Sequence, residues 1–449
     1  MSKQTIAQKI ILQEQEDRKN VDQKISDLQA LHPGKDEIEL ADKIIKVISQ
    51  KFKVRISDEG LTDDLKEDIR QQVEIETDAV TTTYLEKSRL RKIVLDTMFG
   101  LGPIEPYMSE KSTATDILVH KYNHICIKDN TGTHAIDAEF NSEEHLRNVI
   151  ARIVQQAGRQ INLATPAVDA KLPDGSRIHA TIPPVTPDGA TLTIRRFHNK
   201  KLEAKNYIEL ETMSEDMLAF LKFCVENRIN ILVSGGTDSG KTTLLNMLSS
   251  FIPDNELIIT IEDSCELQLR HPHVRRMEAR RGTSDAESIT IQDLVRHSLR
   301  MSPDRIIVGE VRDGSIVDMI SAMSVGHEGS MSTVHTNSPR GLVDSRLPIL
   351  FSQYAVHFQR ETEMLMIAEA IQLIVQISAQ DDVKRRVTHI TAVDNVQDDG
   401  TIKLVDLFRF DRKTKSFYAT GEEPQKLLSS FKEKGCDMNE VRALMKLKE

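Results

Sequence analysis

Apolar residues recur every three or four positions through the first quarter of the chain. Ile10, Leu12, Val21, Ile25, Leu28 and Leu31 form one stripe before Pro33-Gly34 interrupts it, and Leu40, Ile44, Ile45, Val47 and Ile48 form a second. Leu65 to Val73 and Leu85 to Met98 keep the same period. Spacing of this kind puts the side chains on one face of a helix, so residues 1–98 are expected to form a helical arm and a small bundle. Stripes of this sort usually bury a local core; docking to a partner is the alternative reading.

From Phe99 the texture changes to short β-like runs at Thr115–His120, His124–Lys128, Arg177–Ile182 and Thr191–Arg196, with one helical stretch at Ser142–Gly158. This predicts an α+β domain over 99–197, followed by a charged linker over 198–213. Strand-like runs at Ile229–Ser234, Glu256–Ile261, Arg305–Gly309 and Met331–His335 then alternate with helical runs at Lys241–Ser250, Ile289–Met301 and Ser315–Met323. Alternation of that kind predicts a parallel sheet covered on both faces. Residues 341–380 read as helical, Val387–Val396, Thr401–Phe410 and Lys415–Thr420 read as a β-meander, and a helical tail completes a domain spanning 214–449.

Size and charge narrow the classes. A chain of 449 residues is too long for one core. The formal charge of −10 gives no global preference for DNA or RNA, although local basic patches remain open. Cys126, Cys224, Cys265 and Cys436 are dispersed without a C-x-x-C pair, which argues against a zinc knuckle or a disulfide framework and suits a reducing cytosol. No stretch approaches the length of an apolar membrane span, so any membrane contact is expected to go through partners.

The chemistry concentrates in four segments at the expected C-terminal ends of the strands, where ligands bind in open α/β sheets. Gly235-Gly-Thr-Asp-Ser-Gly-Lys-Thr242 fits the phosphate-binding pattern G-x-x-x-x-G-K-[ST] and lies between a strand and a helix, the context this motif requires. Backbone N–H groups of Gly235, Gly236, Thr237, Asp238, Ser239, Gly240, Lys241, Thr242 and Thr243 are the candidates to surround the phosphates of ATP. Lys241 would neutralise them and the Thr242 hydroxyl would ligate Mg²⁺. Thr260–Leu267 places Glu262 just after a strand as a supporting carboxylate or metal ligand, with loop solvation as the bland alternative. Asp304-Arg-Ile-Ile-Val-Gly-Glu310 ends a core strand in Glu310, a candidate water-positioning base, with Gly309 where a metal-ligating Asp is usual. Gly326–Pro339 carries His327 and His335 as catalytic candidates, structural histidines being the alternative; no Cys or third His is spaced to complete a metal site.

In this order the four segments resemble the Walker A, Asp box, atypical Walker B and His box of the type II/IV secretion ATPase superfamily. Gly100–Pro106, Pro166–Arg177, Ile182-Pro-Pro184, Leu192–Phe197, Leu294–Arg312 and Tyr418–Gly421 are similar to the CpaF-like branch that powers tight-adherence (Flp/Tad) pili. The resemblance implies a RecA-like P-loop core preceded by an α+β, PAS-like domain and an N-terminal helical region. It further implies a hexameric cytoplasmic ATPase acting on an inner-membrane platform protein, with no membrane span of its own and no stable nucleic-acid partner. Arg177, Arg195 and Arg196 match positions expected to contact phosphates, for which a guanidinium offers a permanently charged planar fork; surface salt bridges are the alternative. The run Arg270, Arg275, Arg276, Arg280 and Arg281 could face a neighbouring subunit or solvent. Two other functions stay open: a nucleotide-gated scaffold with little turnover, and a conjugative DNA-transfer motor. One position departs from the family, which usually has Gly where this chain has Asp238. A carboxylate there is expected to weaken nucleotide binding, less so if it points to water.

Overall fold

The computed structural model describes residues 35–59, 62–81, 83–129, 131–197, 202–280, 282, 287–354, 358–380, 382 and 384–447. The amphipathic stripe expected before Pro33 lies outside them. The chain divides into two compact units, Met1–His198 and Asn199–Glu449.

The first unit opens with three helices, Lys35–Glu59, Asp63–Val80 and Tyr84–Met98. Their apolar stripes meet in a small core of Ile44, Ile48, Leu65, Ile69, Val73, Leu90 and Val94. Thr62 caps the second helix by accepting the N–H of Leu65 on its hydroxyl. Six antiparallel strands follow: β1 (Asp116–Lys121), β2 (His124–Asp129), β3 (Gly132–Ala135), β4 (Ala167–Lys171), β5 (Arg177–Thr181) and β6 (Thr191–Arg195), in the order β3-β2-β1-β6-β5-β4. One face buries Ile117, Ile125, Ile178, Leu192 and Ile194 against Leu146, Val149, Ile150 and Ile153 of the helix Glu143–Gln156. Period-two alternation then assigns the intervening residues to the other face.

The second unit is a nine-stranded sheet. Its strands are β7 (Ile231–Gly235), β8 (Ile258–Glu262), β9 (Val274–Glu278), β10 (Arg305–Val308), β11 (Met331–His335), β12 (Leu373–Ala379), β13 (Arg385–Val396), β14 (Ile402–Asp411) and β15 (Ser416–Ala419). The order is β15-β14-β13-β12-β7-β11-β10-β8-β9, parallel from β12 to β9 and antiparallel from β12 through β15. Separate apolar clusters cover its two faces, one around Phe220, Leu244, Leu248 and Phe431, the other around Val295, Met319, Phe351 and Ile367. This is the mixed α/β architecture expected from the alternating pattern.

Three local expectations change. Residues 341–380 are not helical throughout, because Leu373–Ala379 is β12, which lies beside β7. A strand buried on both faces reads as an unbroken apolar run, and periodicity alone does not separate it from a buried helix. β9 went unforeseen for the opposite reason: it is an exposed edge strand rich in Arg and Glu. The segment expected as a linker over 198–213 contains the helix Ala204–Glu209, whose Tyr207 is buried in the core of the second unit.

Candidate functional site

β7 runs straight into the phosphate-binding loop, and the helix Lys241–Ser249 leaves it. Steric limits dictate the glycines. A Cβ on Gly235 would stand 2.4 Å from the Ile377 carbonyl oxygen, and Gly240 has φ +93° with the Arg385 side chain against it. Asp238 also adopts the left-handed conformation, φ +56°, which Asp tolerates better than most residues. Thr237 and Asp238 are exposed, whereas Ser239 is buried and donates to the Gly236 carbonyl at 2.8 Å. Exposure puts the Asp238 carboxylate in a high-dielectric setting, toward the small end of the expected penalty.

Lys241 opens the helix nearly buried, donating from Nζ to the Gly236 carbonyl at 2.7 Å and lying 3.3 Å from His335 Nδ1. Burial lowers its pKa, while the Glu310 and Asp238 carboxylates oppose that shift. His335 ends β11, and its Nε2 lies 3.4 Å from Glu310 Oε1. Burial, and then the Lys241 charge, depress the His335 pKa, which favours the neutral ring. Lys241, His335 and Glu310 thus form a continuous polar line across the ends of β7, β11 and β10. Thr242 and Thr243 lie in the first turn of the helix, half-buried and exposed respectively.

Glu262 is the last residue of β8 and only 3% exposed. Its Oε1 accepts the N–H groups of Glu266 and Leu267, both at 2.9 Å, while Oε2 has no hydrogen-bond partner among the described residues. Burial pushes its carboxyl up to about 7, against the two N–H groups that lower it. A Cβ on Gly309 would stand 2.9 Å from Glu262 Cγ. The absent Asp side chain of the β10 strand therefore leaves room that Glu262 fills from β8. Of the carboxylates in that segment, Asp263 instead pairs with Arg312.

His327 does not join this group, which corrects its assignment as a catalytic candidate. It precedes β11, and its Nδ1 bonds the carbonyl of Pro303, which precedes β10. It therefore lies at the opposite edge of the parallel sheet, since five strand residues separate the two histidines' edges. In the first unit, Arg195 pairs across the sheet with Arg177 on one side and Asp116 on the other, its Nε 3.2 Å from Asp116 Oδ1. Lys128 pairs with Asp116 and Lys171 with Arg177, so four cations and one carboxylate form a row on the face away from the helix Glu143–Gln156. Arg196 points elsewhere. Its guanidinium donates to the carbonyls of Met108, Ser109, Ser112 and Ala114, a scaffold role in place of the phosphate contact expected for it.

Two residues at the loop were not foreseen. Gln376 of β12 lies 2.6 Å from Ser234 Oγ and donates to the Thr336 carbonyl at 3.2 Å. One polar residue within an apolar run was its only signal. Arg385, the first residue of β13, donates from Nε to the Asp238 carbonyl at 2.8 Å and had no local signal.

The residues fit the groups expected of them. The buried Glu262 Oε2, with no hydrogen-bond partner among the described residues, and the Thr242 hydroxyl are hard oxygen donors of the kind that suits Mg²⁺, and the glycine-constrained loop at a helix N-terminus suits a nucleotide's phosphates. A phosphate-binding loop between strand and helix, with Glu310 and Glu262 at the ends of β10 and β8 on the same edge of the parallel sheet, defines a RecA-like P-loop protein. Residues 98–444 match the sequence profile of the Type II/IV secretion system protein family, and the chain belongs to that family. A putative conjugal transfer protein of Mycobacterium tuberculosis is 32% identical over 333 residues, spanning 72% of this chain and 92% of that one. Protein VirB11 of Agrobacterium fabrum is 32% identical over 246 residues, 49% of this chain and 71% of its own. Among solved structures, the Legionella pneumophila ATPase DotB is 19% identical, with 74% of this chain and 83% of DotB covered and a TM-score of 0.47.

Proposed function

We propose that this chain is an ATP-hydrolysing motor that powers assembly or secretion of a tight-adherence-type pilus, as a CpaF-like hexamer docked on an inner-membrane platform protein from the cytoplasmic side. The observation that carries the ATPase reading is the line Lys241–His335–Glu310, with Glu262 set into the space beside Gly309. Lys241 and the loop N–H groups would hold the phosphates, and Thr242 and Glu262 would hold Mg²⁺. Bound Mg²⁺ supplies charge neutralisation at the phosphate oxygens. Glu310 would orient and deprotonate the attacking water, with His335 between it and the lysine to relay the state of the phosphate end. Arg177 and Arg195, adjacent on β5 and β6, are the arginines we assign to closing on phosphate. Among the described residues no helix is long and apolar enough to cross a membrane.

Phosphate release from Mg·ATP tests this reading against a nucleotide-gated scaffold. Glu310→Gln is expected to bind ATP normally and to lose roughly 10²–10⁴-fold in turnover, the usual worth of a general base. Wild-type release no faster than that of the variant at saturating ATP would leave only the scaffold. A conjugative DNA-transfer motor is favoured by one observation, the name of the M. tuberculosis relative. The formal charge of −10 counts against it. DNA affinity that falls steeply with salt would restore it.

A further inference from the structure

The hairpin formed by β12 and β13 touches the phosphate-binding loop at three points. The Ile377 carbonyl oxygen stands too close to Gly235 to leave room for a Cβ there, the Arg385 Cδ is 3.2 Å from the Cβ position of Gly240, and Arg385 Nε donates to the Asp238 carbonyl at 2.8 Å. On its other side the hairpin is tied to residues 211 and 212. The Val387 N–H donates to the Thr212 carbonyl at 2.8 Å, Lys384 Nζ lies 2.7 Å from Glu211 Oε2, and Arg386 Nη2 lies 3.4 Å from the same oxygen. The hairpin therefore connects the loop to the Glu211–Thr212 segment, which precedes the helix Glu215–Glu226.

The contact at Asp238 has a specific geometric consequence. A peptide unit is planar and trans, so the Asp238 carbonyl and the Ser239 N–H point in opposite directions. Fixing the carbonyl toward Arg385 fixes the Ser239 N–H away from it, as a donor presented by the loop. Asp238 needs this help more than a glycine would. Its φ of +56° is a conformation that glycine adopts freely and that an L side chain holds at a cost.

We propose that Arg385 is a positioning residue for the phosphate-binding loop: it clamps the 238–239 peptide in the phosphate-binding orientation and compensates for the presence of Asp at 238. Resting on the nucleotide-binding reading above, this adds a residue outside the four motif segments and a physical reason why the departure at 238 is tolerated. The clamp acts through the backbone, without touching nucleotide.

A double-mutant cycle on the full chain tests it, with a fluorescent ADP analogue and Mg²⁺ as the probe. Arg385→Ala is expected to weaken binding about 10-fold or more, the usual effect of losing a charge-assisted hydrogen bond. In the Asp238→Gly background the same change is expected to cost no more than about 2-fold, because glycine holds the conformation unaided. Amide exchange over residues 236–241 of the nucleotide-free protein should be faster in Arg385→Ala than in wild type, while the melting temperature, set by the buried cores, stays unchanged. Equal affinities of wild type and Arg385→Ala overturn the proposal. So does an equal loss in both backgrounds, which would mean that Arg385 contacts phosphate directly. Failure of the wild type itself to bind the probe overturns the nucleotide reading and this proposal with it, and the wild-type arm separates that outcome from the other two.

Discussion

Glu262 shows how much one side chain can decide. Its carboxyl titrates near 7 because it is buried, whereas an unfolded glutamate titrates near 4.5. Between those values the folded protein holds a proton that the unfolded chain has lost, so stability falls as pH rises across this window and levels off above it. Glu262→Gln is expected to remove that slope and to raise the stability of the nucleotide-free protein at pH 8 by about 3 kcal/mol, an order-of-magnitude figure from the shift. Denaturant midpoints of both proteins at pH 5 and pH 8 check this, and the variant should lose Mg²⁺-dependent turnover. Gly309→Ala is expected to cost about 1–3 kcal/mol by overpacking, and to displace the Glu262 carboxylate, since its Cβ would stand 2.9 Å from Glu262 Cγ. Sequence alone revealed a glycine where an aspartate is usual. That a glutamate on another strand fills the vacated space depends on the register of β8 beside β10, where Ile261 pairs with Val308.

At the scale of elements, the two edges of the parallel sheet do different work. The C-terminal edge gathers the loop, Glu262, Glu310 and His335. A buried polar network occupies the other edge, where fully buried Arg305 donates to Glu256 at 2.5 Å and to the carbonyls of Val225 and Gly329. Asn230 completes that edge, donating to the carbonyls of Met323 and Ala370 and accepting the N–H groups of Gly329 and Ser330. Glu256→Ala would strand a buried guanidinium and is expected to cost about 3–5 kcal/mol in chemical denaturation. Nucleotide affinity of the folded fraction should be unchanged, because the lesion lies a full strand length from the loop. His327 belongs to this edge. Its distance along the chain from His335 made the two look like a pair, but the strand between them carries one to each edge.

At the scale of the molecule, the RecA-like sheet and the row of cations on β2, β4, β5 and β6 belong to separate compact units. A ring is the assembly in which such a row and the nucleotide act together in our proposal. Mass measurement with a non-hydrolysable ATP analogue is expected to show six chains per particle. Arg195→Ala should then lower turnover more than it lowers nucleotide affinity, and a strict monomer with and without the analogue would remove the motor reading.

The sequence by itself determined what contiguous residues can specify. The phosphate-binding loop was legible because its glycines, Lys241 and Thr242 act within one turn of chain, and the α/β class because apolar periodicity is local. Tertiary structure alone decided which distant residues share an edge: Glu262 in place of an aspartate at 309, His335 without His327, and Arg385 against the loop. The physical reason is strand order and register. β12 enters beside β7 from far along the chain, and the side chains it carries to the loop have no neighbour in the sequence that announces where they will stand.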